Sequence, residues 1–174
     1  MTEIQPYEVE QRYPDFEVRR YPAHVLVQVD VDADFFKAGN MGFRPLINYI
    51  SGNNADQSKI AMTSPVTQHP GDGGVEAGSH TVSFVMPADM DAASAPAPSD
   101  PKVRTLAVPA GLVAARRFSG GADESRFAEN AHTLLQKVAA SGFETIDDPW
   151  FARYDPPWMP GFLRRNEALV RVQG

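Results

Sequence analysis

Twice along this chain the hydrophobic period changes from two to about 3.6 and back to two, and that double change restricts the fold more than any other feature. In the first copy His24-Val-Leu-Val-Gln-Val-Asp30 alternates, with Val25, Val27 and Val29 on one side and His24, Leu26 and Gln28 on the other. Phe43, Leu46, Ile47 and Ile50 then fall on one helical face, with Gly52 placed to end the helix. Asp32 or Asp34 can cap its N-terminal side. Pro45 sits inside the pattern, so the spacing predicts a regular helix starting near Gly42 after an irregular lead-in from Asp34 to Met41. Strands are expected over Ser58–Val66 and Thr81–Met86, joined by the glycine-rich stretch from Pro70 to Gly78.

The second copy follows a long Ala-, Pro-, Ser- and Asp-rich loop, Ala88–Lys102, and a strand at Val103–Val108. Leu112–Phe118 reads as a strand. Asp123 caps a helix whose apolar stripe is Phe127, Ala131, Leu134, Leu135 and Val138, and Gly142 ends it. Trp150–Tyr154 and Asn166–Val172 are the last strands, separated by the proline-stiffened loop Asp155–Gly161. Ahead of both copies, Tyr7–Tyr13 and Phe16–Tyr21 form a hairpin turned by Pro14-Asp15. The expectation is α+β: two pseudo-symmetric β-α-β-β halves, about 24–86 and 112–172, building one largely antiparallel curved sheet with two helices. Neither half could bury its own face alone, so residues 1–174 are read as one domain, within the usual range of about 100–200 residues.

Composition narrows the functions. With no cysteine, a thiolate metal site, an iron–sulfur cluster and a cysteine nucleophile are excluded. A net charge of −6 disfavours nucleic acid, whose affinity rests on neutralising phosphates. Arg116-Arg117 and Arg164-Arg165 are local basic exceptions. No run reaches the length of about 18 apolar residues that a membrane span needs. The segment Met1–Tyr7 lacks a basic and an apolar signal region, so a cytoplasmic chain is expected.

The four histidines, His24, His69, His80 and His132, show no ligand spacing. His69 and His80 flank the glycine-rich loop and are expected to be exposed. His132 lies one position off the stripe of the second helix, at its boundary with solvent. No phosphate loop, dinucleotide fingerprint, serine elbow or zinc-protease motif is present. Glu8, Glu10, Asp147 and Asp148 read as a solvated face. Glu167 reads two ways. With Tyr154 it is an acid–base pair for a small hydrophobic substrate; with the neighbouring arginines it is an ion-pair lock on the last strand. Trp158, Met159 and Phe162 in a stiff loop, and Met41, Phe43 and Ile47 on or before the first helix, suit either core packing or a large planar apolar ligand.

Five stretches, in their order and spacing, resemble the SOUL heme-binding protein family. They are Phe16-Glu-Val-Arg-Arg-Tyr21, Gly42-Phe43-x-x-Leu46-x-x-Tyr49-Ile50-x-Gly52-x-Asn54, Lys59-Ile-Ala-Met-Thr63-x-Pro65-Val66, Tyr154-Asp-Pro-Pro157 and Arg165-Asn-Glu167. The resemblance covers about Tyr7 to Val172. It implies a distorted eight-stranded antiparallel barrel with two helices, similar in fold to bacterial small-molecule-binding regulatory domains. It further implies non-catalytic binding of heme or another tetrapyrrole, for buffering or transfer, in an apolar cleft beside the first helix. Phe43 and Ile47 would lie on the wall of that cleft with the loop Trp158-Met159-Pro160 opposite, and Met41, Arg44 and Phe162 complete the expected ligand-binding residues. This chain departs from the pattern at four positions. Arg20 stands where some members have a histidine proposed as axial ligand, which leaves His24 as the fallback. Asn40, Asn48 and Met159 stand where others present basic residues to the heme propionates. An effector-binding or protein-interaction module is the remaining alternative.

Overall fold

The structure, a computed structural model, describes residues 2–71, 78–121, 123–156 and 158–173. Most of the glycine-rich connection after Pro70, and Pro157 of the double proline, lie outside the described residues. In chain order the elements are β1 (Glu3–Ile4), β2 (Glu8–Arg12), β3 (Glu17–Tyr21), β4 (His24–Val31), α1 (Phe35–Ile50), β5 (Thr63–Ser64), β6 (Val66–Pro70) and β7 (His80–Val85). There follow β8 (Val103–Val108), β9 (Gly111–Phe118), α2 (Glu124–Ala140), β10 (Glu144–Thr145), β11 (Trp150–Arg153) and β12 (Asn166–Gln173). The class is α+β, with two helices and antiparallel sheet, as the periodicity predicts. The chain divides into two compact units, one of Met1–Gln5 with Ala23–Pro109 and one of Pro6–Pro22 with Ala110–Gly174.

In the first unit β6, β7, β4 and β8 lie side by side, each pair antiparallel, while β1 pairs with β5 in parallel. Among the described residues the run does not close on itself, so the expected distorted barrel-like sheet is not a closed barrel. Val25, Val27, Val29 and Val31 of β4 bury one face of it under α1, against Ala38, Leu46, Tyr49 and Ile50. The helix begins at Phe35, seven residues before the expected Gly42. The side chain of Asp34 caps it by accepting from the Lys37 N–H at 2.9 Å. Phe35, Ala38, Gly39 and Gly42 extend the buried stripe upstream, and that packing holds a helix through Pro45. Gly42 is required: a Cβ there would meet the Val82 side chain at 2.7 Å. Gly52, at φ +126°, ends the helix where expected. The strand expected over Ser58–Val66 is instead two short strands either side of Pro65, which has no N–H to give to a ladder.

Several residues behind the family resemblance hold this unit together. Asn54 donates to the carbonyls of Tyr49 and Ser58 at 2.9 Å each, and the Tyr49 hydroxyl donates to the Pro96 carbonyl at 2.6 Å. His80 corrects the expectation of exposure. It is the buried first residue of β7, edge-on to the Phe35 ring at 5.7 Å.

In the second unit the order is β2, β3, β9, β12, β11, all antiparallel neighbours, with β10 also on β12; this run too is open. α2, capped by Asp123, buries Phe127, Ala131, Leu134 and Val138, with Phe127 edge-on to Phe151 at 5.3 Å. Leu135 of the expected stripe is only half-buried. The Tyr13–Phe16 turn closes the β2–β3 hairpin, as the Pro14-Asp15 pair predicts.

Candidate functional site

α1 carries more apolar surface than its sheet can cover. Its buried stripe is already complete, yet Phe36 is 67% and Phe43 43% exposed. At 3.6 residues per turn, Phe36, Phe43 and Ile47 fall within about 40° of one another, a second apolar stripe beside the buried one. Phe43 leans edge-on to Phe84 of β7 at 5.3 Å, and Ile47 packs against the core edge. Arg44, about 100° round the helix from Phe43, borders the stripe with Lys37, and Asn40 lies between them and Ile47. Met41 is exposed but about 160° from Phe43, so the helix does not bring it to the same face. Phe36 is the residue that sequence reasoning missed, because the segment before Gly42 reads as irregular around Pro45. Its signal was the i, i+7, i+11 spacing with Phe43 and Ile47.

Trp158, Met159 and Phe162 belong to the second unit. Their loop is tied down at several points. Tyr154 N–H donates to the Arg165 carbonyl at 3.1 Å, Arg164 Nε to the Met159 carbonyl at 2.7 Å, and Gly120 N–H to the Gly161 carbonyl at 2.8 Å. Gly161–Leu163 forms one 3₁₀ turn. On this pinned loop Trp158 and Phe162 are each 78% exposed, and Leu163 is exposed beside them. Large apolar groups held outward by a tied loop are the kind of surface that ligands cover. Met159 is half-buried, its carbonyl engaged by Arg164.

A porphyrin is flat, apolar on its faces and anionic at its carboxylates. The α1 stripe is apolar, and Lys37 with Arg44 at its border is basic. An axial ligand is a different matter. Because Val25, Val27 and Val29 face α1, alternation puts half-buried His24 with Leu26 and Gln28 on the opposite face of β4. Among the described residues no group of three or more His, Asp or Glu is placed to hold a metal ion. His132 is exposed, as expected.

Glu167 is the most constrained charge in the second unit, and its carboxylate is fully buried. Oε1 accepts from Arg19 Nη1 at 2.8 Å and from the Tyr154 hydroxyl at 2.8 Å. Oε2 accepts from Arg19 Nη2 at 2.6 Å and from Arg165 Nη2 at 3.1 Å. Burial pushes the Glu167 carboxyl up, but the hydrogen bonds and charge of Arg19, the Arg165 charge and the Tyr154 hydroxyl outweigh it, and the net is downward. Burial, with the Glu167 charge, pushes Tyr154 far up, and Tyr21, which accepts from Arg19, is pushed up to about 12, chiefly by burial. A carboxylate held ionised by two guanidiniums is a weak base, and a phenol so raised is a weak acid. The geometry is therefore that of an ion-pair lock, and the Tyr154–Glu167 acid–base reading is withdrawn. The lock's main partner is Arg19, 148 residues away in sequence, with Arg165; Arg164 takes no part in the bonds to Glu167 described above. Arg19 was out of reach of sequence reasoning, since only the β3–β9–β12 pairing brings it to Glu167.

The chain is similar to several known proteins. Human Heme-binding protein 2 is 29% identical over 163 residues, 91% of this chain and 78% of its own length. Heme-binding protein 1 of Xenopus tropicalis is 26% identical over 156 residues, covering 88% of this chain and 81% of its own. Among solved structures, the C-terminal domain of EcmrR superposes with a TM-score of 0.67 at 13% identity, over 96% of this chain and 98% of that one, a likeness of fold. The SOUL heme-binding protein family matches residues 2–171, nearly the whole length, and this chain belongs to it.

Proposed function

We propose that the chain binds heme or a related tetrapyrrole without catalysis, in buffering or transfer, and that the ring rests on the Phe36–Phe43–Ile47 stripe of α1. The observation that carries this reading is the second apolar stripe on a helix whose core face is already full. Family membership and the names of the relatives support it. Arg44 and Lys37 meet the acidic edge of the ring. Burying several hundred Å² of porphyrin contributes on the order of 10 kcal/mol, against an association cost of about 4–15 kcal/mol. Binding by apolar contact alone is accordingly weak and tolerant of ring type. When bound, heme iron supplies redox and ligand-exchange chemistry; the chain supplies the platform. The face of β4 that carries His24 makes it unsuited as axial ligand to a ring on α1.

Hemin titration followed by Soret difference absorbance tests this. A saturable one-to-one shift is expected, weakened about tenfold or more in Phe43→Ala/Ile47→Ala. His24→Ala leaves it unchanged. A linear response identical in all variants overturns the reading.

A further inference from the structure

The second unit contains a cavity of about 390 Å³ over the sheet face that carries the Glu167 lock. Four arginines line it, Arg12, Arg19, Arg117 and Arg165, against two carboxylates, Asp15 and Glu17. Both acids are taken. Glu17 accepts from Arg19 Nε at 2.8 Å and pairs with Arg12 at 3.4 Å, while Asp15 pairs with Lys137 at 3.5 Å and Arg116 at 3.8 Å. Arg117 of β9 stands directly opposite Glu167 of β12 in the ladder. That position would ordinarily make a cross-strand ion pair. Here both Glu167 oxygens are already filled by Arg19, Arg165 and Tyr154. The Arg117 side chain is left exposed at the cavity with no hydrogen bond or ion pair to any described residue. The cavity thus has more fork-shaped cations than carboxylates.

Its other walls are flat. Tyr7 and Tyr13 line it. Tyr13 is stacked on Phe16 at 4.5 Å, and the Arg19 guanidinium lies over Tyr7 at 4.1 Å. Ala115 and Val9 add small apolar surface. A guanidinium fork recognises a planar carboxylate through two parallel hydrogen bonds, and aromatic walls favour a ring beside it. The volume lies within the usual range for small-molecule sites, about 300–1,000 Å³.

We propose that this cavity is a binding site for a small planar aromatic carboxylate, with Arg117 as the residue that receives the acid and Tyr7 and Tyr13 flanking the ring. Tetrapyrrole binding is not required for it.

The test is isothermal titration of the full chain with benzoate, 4-hydroxybenzoate and indole-3-acetate, alongside benzamide and inorganic phosphate. At least one carboxylate should bind saturably with one site below about 10 mM. Arg117→Gln should weaken it about tenfold or more, the loss of a charge-assisted pair, and Arg117→Lys should restore part of the affinity. Arg104→Gln, an exposed arginine of the first unit, should leave it unchanged, and circular dichroism confirms that each variant is folded. The proposal is overturned if none of the three acids saturates, if Arg117→Gln binds as wild type, or if benzamide or phosphate binds as well as the best carboxylate.

Discussion

At the scale of single residues, the Glu167 lock shows what a buried charge does when its partners are complete. Arg19 and Glu167 are both nearly or fully removed from water, and a buried pair gains stability only where every donor and lone pair is used. Here the two guanidiniums and the Tyr154 hydroxyl use them. Glu167→Gln leaves Arg19 half-paired in the interior and is expected to lower unfolding free energy by about 3 kcal/mol in urea titrations. Its pH dependence follows from the same contacts. The folded carboxyl is held below its ordinary value of 4.5, so its contribution is present above that pH and is lost as pH falls below it. Glu167→Gln should therefore flatten the acid limb of the stability–pH curve below about 4.5; an unchanged limb would assign the acid sensitivity to other carboxylates. Glu167 stood out in the sequence because it begins an apolar strand. Its partner did not, since Arg19 lies inside a hairpin motif where nothing local reveals a contact 148 residues away.

At the scale of elements, α1 is where local propensity and packing disagree. Pro45 and two glycines within Phe35–Ile50 read as a broken helix, yet the helix is continuous because its small residues let it lie close on the sheet. Gly42→Ala gains up to about 1 kcal/mol in helix propensity. It also drives a methyl into Val82 at 2.7 Å and against Val31 at 3.3 Å. Overpacking of that kind costs about 1–3 kcal/mol, so thermal unfolding should come at a lower temperature by a few degrees, about 2–4 °C. The exposed stripe behaves oppositely. Phe36→Ser touches no core and should change stability by less than about 0.5 kcal/mol, while weakening hemin binding in the Soret titration. If it destabilises the fold as a core substitution does, the stripe is packing surface and not a ligand platform. The stripe at Phe43 and Ile47 was legible from spacing. Its upstream member Phe36 was hidden by the same proline that made the helix look short.

At the scale of the whole molecule, charge disfavours one class of partner. With a net charge of −6, a fluorescein-labelled DNA duplex should show no saturable anisotropy change at 150 mM salt, on the order of physiological ionic strength. The α+β class, both helices, their glycine ends and nearly every longer strand were determined by the sequence itself. Periodicity, caps and turn residues act between near neighbours, and near neighbours are what a sequence displays. The family was legible for the same reason, because its motifs are local signatures such as the Asn54 turn lock beside Gly52. Only the tertiary structure decided that α1 runs straight through Pro45 and that His24 lies on the face of β4 away from α1. It alone showed that Glu167 belongs to Arg19 and that the Arg117 side chain makes no ion pair with a described residue. Those outcomes turn on which strands pair and which faces meet. Pairing is set by burial and hydrogen bonding summed over residues far apart in the chain, and no window of sequence contains that sum.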